Sequence, residues 1–491
     1  MKNDVNLYQK IYDNLKNKIE CGLLPGGYRL PSRANMCKEF QTSEKPVRCA
    51  IEMLVRDGLV ESKPRKRPTV AYHQNVVHKA AELSLQRASA VPANDALKTG
   101  VLLCYPVIGR GISLCREEDW VIPQTIVEHM DPRQESKFWR LSNNFWRFFV
   151  ARNGNEFILR TVDSMGYSDL DSLIGSYEVR ERYHATLKEF LNTVRDGGEP
   201  GSVPFEDMSF VYGFKGEQNK DTPTYKVPPD SVFVLGAEEL EKKMCQGEER
   251  YSSVYLDIIG LIAMGYYKPG DFLPSHKEMQ KIYGVSIDTT LKAVKILKEW
   301  GVVNAVPHKG IWVTMSREEL KEFPIDPELI SCHVRRFLDS LELLTLMMEG
   351  VAAHAMEHVK EEEVEELCAK LESHWSDSLL YHFFPSVLLE FITEHIQYKM
   401  LRSIYNVLRR NFRIGRSIPK LISREKTSAD YDNYAKCLSA VKTLRAGDVH
   451  CFVEKISELF QQIRGQIITS CKDFGYWEAA MQVYDGTKLW Q

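Results

Sequence analysis

The sequence predicts a mainly α-helical protein in which a small three-helix domain with a β-hairpin occurs twice, each copy followed by an all-helical bundle. The first observation behind this is a long repeat. Gly22 to Val60 aligns without a gap on Gly265 to Val303, an offset of 243 residues, and such a period sets the architecture before local patterns are read. Leu30-Pro31-Ser32 answers Leu273-Pro274-Ser275, Met36 answers Met279, Phe40 answers Tyr283, and Gly58-Leu59-Val60 answers Gly301-Val302-Val303. The second observation lies just upstream. Tyr8, Ile11, Leu15 and Ile19 correspond to Tyr251, Val254, Ile258 and Ile262, at spacings that put each set on one helical face.

The first helix is expected over residues 6–21, ended by Gly22 and the turn Pro25-Gly26-Gly27. Tyr28-Arg29-Leu30 is a short strand, Pro31 and Ser32 open a brief helix over 32–40, and Ser43 is placed to N-cap a third helix running to about Arg56. Pro46 falls in that helix's first turn, where a missing N–H is tolerated. Leu59-Val60-Glu61 and Thr69-Val70-Ala71 then form a hairpin around a loop holding Arg65, Lys66 and Arg67. Three helices with a tight turn before the third, then a hairpin, describe a winged helix-turn-helix.

Composition agrees with a multi-domain globular protein. A chain of 491 residues predicts two to four domains, and 44% hydrophobic with 27% charged residues is ordinary for a soluble one. The start carries no signal-like apolar run and no stretch is long enough to span a membrane. The 11 cysteines are odd in number and form no CxxC pair, as suits reduced thiols. A cytoplasmic protein without a membrane partner is expected. The net charge of −3 is unevenly spread: residues 1–72 hold 14 Lys and Arg against 8 Asp and Glu, a balance of +6, and residues 249–315 hold 8 against 6. A small basic module on an acidic body suits a polyanion contacted locally.

The Gly-x-x-x-Pro-Gly-Asp-x-Leu-Pro-Ser run from Gly265 to Ser275, the Ser-initiated third helix and the Gly-Leu-Val entering the wing resemble the GntR family of bacterial transcription regulators. The resemblance covers about 65–70 residues in each copy. Phe145 to Ile158, with Asn153-Gly154-Asn155 at its turn, resembles the helical effector domain of the FadR subgroup, as does the helix Tyr183 to Val194. In the second half, Leu388 to Leu408 answers Trp146 onward, and Arg445-Ala446-Gly447-Asp448 is similar to a turn of the same domain. The expected organisation is a winged helix at 1–72, a linker at 73–97, a helical domain at 98–198, a connector at 199–248, a second winged helix at 249–316 and a second helical domain at 317–491.

The resemblance implies double-stranded DNA as partner. A winged helix lays its third helix in the major groove, N-terminal residues toward the bases, while Arg and Lys supply phosphate and guanine contacts. In copy one the candidates are Arg33, Ser43, Lys45, Arg48, Arg65, Lys66 and Arg67; in copy two, Lys277, Ser286, Thr289, Lys292 and Lys309. Copy two opens its third helix Ser286-Ile287-Asp288, and copy one carries Glu44 where the family commonly has Arg. An unusual operator and a weak or purely structural second head follow.

The subgroup often holds a metal through one Asp and three His, but only His184 falls near such a position, so no metal is expected. Trp146, Phe149 and His184 are the candidates for lining an effector pocket. No Gly-x-Ser-x-Gly, phosphate-binding Gly loop or HExxH motif is present, so neither enzyme nor cofactor is expected. The reading is a regulator acting as a single-chain pseudo-dimer on an asymmetric operator, responsive to an unknown small molecule and with room for self-association. The alternative is a non-catalytic assembly protein whose winged helices have lost DNA.

Overall fold

The computed structural model describes residues 8–9, 11–12, 14–16, 19, 24, 27–40, 42–63, 66–71, 91–165, 177–198, 232–233, 240–241, 244, 250–263, 265–378, 380–415, 418, 421 and 425–483. The chain divides into two compact units, Met1–Gly247 with Tyr484–Gln491, and Glu248–Val483.

The first unit opens with α1, helical at the described residues between 8 and 19. Then come α2 (Arg33–Glu39), α3 (Glu44–Arg56), β1 (Val60–Glu61) and β2 (Thr69–Val70). The two strands pair antiparallel, Val60 opposite Val70 and Glu61 opposite Thr69. Arg29 bridges Thr69, and Val70 N–H donates to Tyr28 O, so the expected Tyr28-Arg29-Leu30 strand closes the wing. One core joins these elements: Ile11 and Leu15 of α1, Met36 of α2, Val47, Ile51 and Leu54 of α3, and Val60 and Val70 of the wing are all buried. Burying the inner helical faces drives the fold. It fixes which face of α3 is left to solvent.

The helical part of this unit comprises α4 (Ala93–Ser113), α5 (Val121–Glu128), α6 (Glu135–Arg152), α7 (Glu156–Ser164) and α8 (Tyr177–Arg195). A two-residue β3 (Val91–Pro92) pairs with β4 (Val232–Phe233), which lies inside the expected connector. Helix α4 begins within the segment read from composition as linker. The residues that suggested a loop are helix-start residues: Pro92 precedes the first turn and Asp95 sits in it, accepting from Thr99 Oγ1 at 3.5 Å. Helix α6 is the centre, with Phe138, Leu141, Phe145, Phe148 and Phe149 fully buried. Helix α4 approaches it at Gly111, where a Cβ would lie 1.9 Å from Phe149 O. Gly154 (φ +62°) makes the turn from α6 to α7, and Asn155 caps α7 by accepting from Ile158 N–H at 2.9 Å.

The second unit repeats the order with α9 (Arg250–Ala263), α10 (His276–Tyr283), α11 (Ile287–Glu299), β5 (Val303–Val306) and β6 (Gly310–Val313). After α12 (Arg317–Glu322), a 30-residue helix α13 (Pro327–Met356) packs against α15 (Phe384–His395), α16 (Lys399–Gly415), α18 (Val449–Asp473) and α19 (Tyr476–Met481), while α14 (Glu361–Ser376) packs on α15 and on α17 (Ser428–Arg445), and α17 on α18. Gly447 (φ +81°) and Asp448, which accepts from Cys451 N–H at 3.0 Å, turn the chain from α17 into α18.

Within this unit the winged helix is tied to the helical part. Asp257 of α9 accepts from Tyr283 Oη of α10 at 3.0 Å and from Arg413 Nη2 of α16 at 2.8 Å. Tyr255 Oη reaches Leu329 O of α13 at 3.4 Å, and Trp300 packs on Phe323. Among the described residues no helix is long and apolar enough to cross a membrane.

Candidate nucleic-acid interface

The third helix of each winged helix is positioned by its buried stripe. In α3, Val47, Ala50, Ile51 and Leu54 face the core, and Glu44, Lys45, Arg48 and Glu52 are left exposed at the N-terminal half. This is the part of a recognition helix that meets base edges. Ser43 occupies the N-cap position in extended conformation but makes no side-chain cap bond. Pro46 removes one of the two usual donors: a capping hydroxyl accepts from the second or third helical N–H, and the third residue here has none. In α11 the third residue is Thr289, and Ser286 Oγ accepts its N–H at 3.2 Å. Thr289 Oγ1 and Ser286 Oγ are 2.9 Å apart, so both hydroxyls serve the cap.

Among the described residues, two ion pairs involve the exposed N-terminal half of α3. Arg33 Nη1 lies 3.4 Å from Glu44 Oε1, and Arg48 Nε lies 3.7 Å from Glu52 Oε1. The side chains are roughly half or more exposed, and such pairs contribute about 0–1 kcal/mol. Both guanidiniums can therefore be handed to phosphate or guanine at small cost. Glu44 is held by Arg33, which offsets the repulsion its carboxylate would exert on a phosphate. Lys66 and Arg67 are exposed on the wing, with the loop turned by Lys66 N–H donating to Lys63 O at 3.1 Å. Arg65 lies outside the described residues. Arg29 is exposed on the strand bridged to Thr69, a cation beside the wing that the sequence reading left out because it was read as strand.

The second head differs in chemistry. Lys277 on α10, Lys292 on α11 and Lys309 in the wing are exposed, and His308 (φ +63°) and Gly310 (φ +103°) form the wing's turn. The repeat offset sets Asp288 against Lys45 and Leu291 against Arg48. Ile287 and Leu291 are 46% and 48% exposed. Sequence reasoning passed over both, because apolar residues spaced four apart read as core. The signal that could have found them is the repeat itself, which sets them against exposed polar residues of copy one.

The three effector candidates fall in the first unit's helical part. Trp146 is buried, its Nε1 donating to Tyr183 Oη at 2.9 Å, and its ring tilts on Phe190. Phe149 is packed between Phe145, Phe148 and Trp120. His184 is half-buried, with Nε2 2.8 Å from Val127 O; partial burial holds it below the usual histidine value. Tyr183, buried between Ser142 and Trp146, has its hydroxyl pushed well up by desolvation and stays protonated. Among the described residues no group of three or more His, Cys, Asp or Glu could hold a metal ion.

Residues 7–70 and 250–313 each match the bacterial regulatory proteins, gntR family. The two matches sit 243 residues apart, at the offset of the internal repeat. Two relatives come from Bacillus subtilis (strain 168). The uncharacterized HTH-type transcriptional regulator YdeL is 32% identical over 72 residues, 15% of this chain and 16% of its own length. The HTH-type transcriptional regulator TreR is 33% identical over 76 residues, 16% of this chain and 31% of its own. The chain thus spans less than a third of either relative. Streptococcus agalactiae GntR, a solved structure, is 15% identical and aligns over 44% of this chain and 99% of its own, with a TM-score of 0.23. Both winged helices are of the GntR type; the match does not extend to the helical parts or to the FadR subgroup.

Proposed function

We propose that this chain, with two GntR-type winged helices, is a cytoplasmic DNA-binding transcriptional regulator carrying both of its reading heads on one polypeptide. The observation that supports it most is the exposed face of α3. Lys45 and Arg48 stand on the first turns of a third helix whose other side is fully spent on the core, beside Lys66 and Arg67 on the wing. That combination offers guanine-directed donors in the groove and cations for the adjacent backbone.

Winged-helix regulators of this kind commonly pair two heads on a near-palindrome. Here the heads differ at the base-reading positions, Lys45 and Arg48 against Asp288 and Leu291, so the operator is asymmetric and the chain acts as its own pseudo-dimer. A small-molecule effector in the helical parts would work by favouring one geometry of the heads over another. His184, the accessible member of the trio with Trp146 and Phe149, is the residue to vary in a ligand screen. Self-association of the fused chains would add further half-sites.

The test is selection of binding sites from a randomised duplex library by the purified full-length protein, followed by footprinting. The expected product is one non-palindromic site with two protected segments. A consensus of just two identical half-sites would refute the pseudo-dimer, and failure to enrich any sequence would refute DNA reading.

A further inference from the structure

We propose that the second head reads thymine, through the methyl groups presented in the major groove, with Ile287 and Leu291 as its specificity-determining residues. This rests on the DNA-reading function proposed above and assigns what the second half-site must contain. The two residues occupy the first and fifth positions of α11 and are four apart, hence on one face of the helix. Each leaves about half of its surface in water, 46% and 48%, at the edge of the stripe of Thr290, Ala293, Val294 and Leu297 that supplies the core contact. The outer half of each residue is thus left over by the fold and sits on the turns of a recognition helix that reach base edges.

Thymine is the base that offers an apolar group there, its 5-methyl, and aliphatic side chains are its recognised partners. Asp288, exposed between the two, can accept from a cytosine amino group and cannot approach guanine O6 or N7. The guanine contacts open to Lys45 and Arg48 in the first head have no counterpart at the equivalent positions of the second, Asp288 and Leu291. Groove entry stays feasible because Lys277, Lys292 and Lys309 are exposed on the helix before, the helix itself and the wing, where they can neutralise phosphates. A protein partner fits this pair less well. Two half-exposed aliphatic side chains interrupted by Asp288 fall far short of the roughly 800 Å² per partner that a stable interface buries.

The experiment uses the full-length protein and its selected site, with deoxyuridine replacing thymine in one half at a time; this removes the methyl and nothing else. The half read by the second head is the one whose preference survives Lys45→Ala/Arg48→Ala. Deoxyuridine there should weaken binding about fourfold per contacted thymine, the factor to which roughly 0.8 kcal/mol per buried methyl converts. Ile287→Ser/Leu291→Gln, both exposed changes, should abolish the difference between thymine and deoxyuridine in that half and leave the first half's preference intact. No deoxyuridine effect in that half, an effect that persists in the double variant, or a double variant that changes oligomeric state and not base preference would each overturn the inference while leaving DNA reading in place. Absence of any selected site would overturn both.

Discussion

Asp257 is the point at which the second winged helix is fastened to the helical part of its own unit, and its removal has a calculable cost. Its carboxylate is 12% exposed and serves Tyr283 and Arg413 together. Burial, then the adjoining Asp257 carboxylate, hold the Tyr283 hydroxyl well above the ordinary tyrosine value, so it remains a donor at all working pH. In Asp257→Ala that donor keeps its partly buried position and loses its acceptor, at about 1–2 kcal/mol. Arg413 is 46% exposed and can return to water, so its share is about 0–1 kcal/mol. The total of roughly 2 kcal/mol corresponds to a fall in Tm of about 4–8 °C for a unit of this size. Scanning calorimetry of the full chain checks it, alongside Arg413→Ala and Tyr283→Phe. Adding Tyr283→Phe to Asp257→Ala should recover part of the loss, since it deletes the orphaned hydroxyl. A silent Asp257→Ala, an Arg413→Ala as costly as Asp257→Ala, or a double variant worse than Asp257→Ala would refute the reasoning.

Three further outcomes follow. His333, buried on α13, has its imidazole pushed down by desolvation to about 4, against 6.5 unperturbed. Its neutral form stabilises the fold fully above pH 6.5, and about 3 kcal/mol is lost as pH falls to 4; His333→Leu should flatten the Tm-versus-pH curve in that window, and an unchanged slope would contradict this. Gly111→Ala should lower stability by about 1–3 kcal/mol, because its methyl would overlap Phe149 O. Gly109→Ala meets nothing within 4 Å and should be neutral or stabilising in the same melts. Glu44→Gln should raise operator affinity about two- to fivefold in a fluorescence titration, by releasing Arg33 and removing a charge repelled by phosphate.

The heads were legible in the sequence because their determinants are local. Leu30-Pro31-Ser32, Gly58 and the apolar spacing of α1 and α3 each fix a turn or a buried face. The turn at Asn153-Gly154-Asn155 was legible for the same reason. What escaped was set by tertiary context. The start of α4 at Ala93 was hidden because Pro92, Asn94 and Asp95 serve loops and helix starts equally. Asp257, one carboxylate on an amphipathic helix, gives no sign that Tyr283 and Arg413, 26 and 156 residues away, converge on it. The exposure of Ile287 and Leu291 runs against the periodicity rule that assigns aliphatic residues to the core.

The most direct test of two heads on one chain is the salt dependence of binding to the selected operator. Full-length wild type, Lys45→Ala/Arg48→Ala and Lys277→Ala/Lys292→Ala are compared between 50 and 200 mM salt, ~10–14 Å down to ~7–8 Å of screening. Each neutralised phosphate adds about 0.9 to the slope of log K against log salt. Both double variants should bind more weakly with slopes reduced by about 1–2, and each should disturb a different half of the site. Loss confined to Lys45→Ala/Arg48→Ala would contradict the account, reducing the second winged helix to a scaffold.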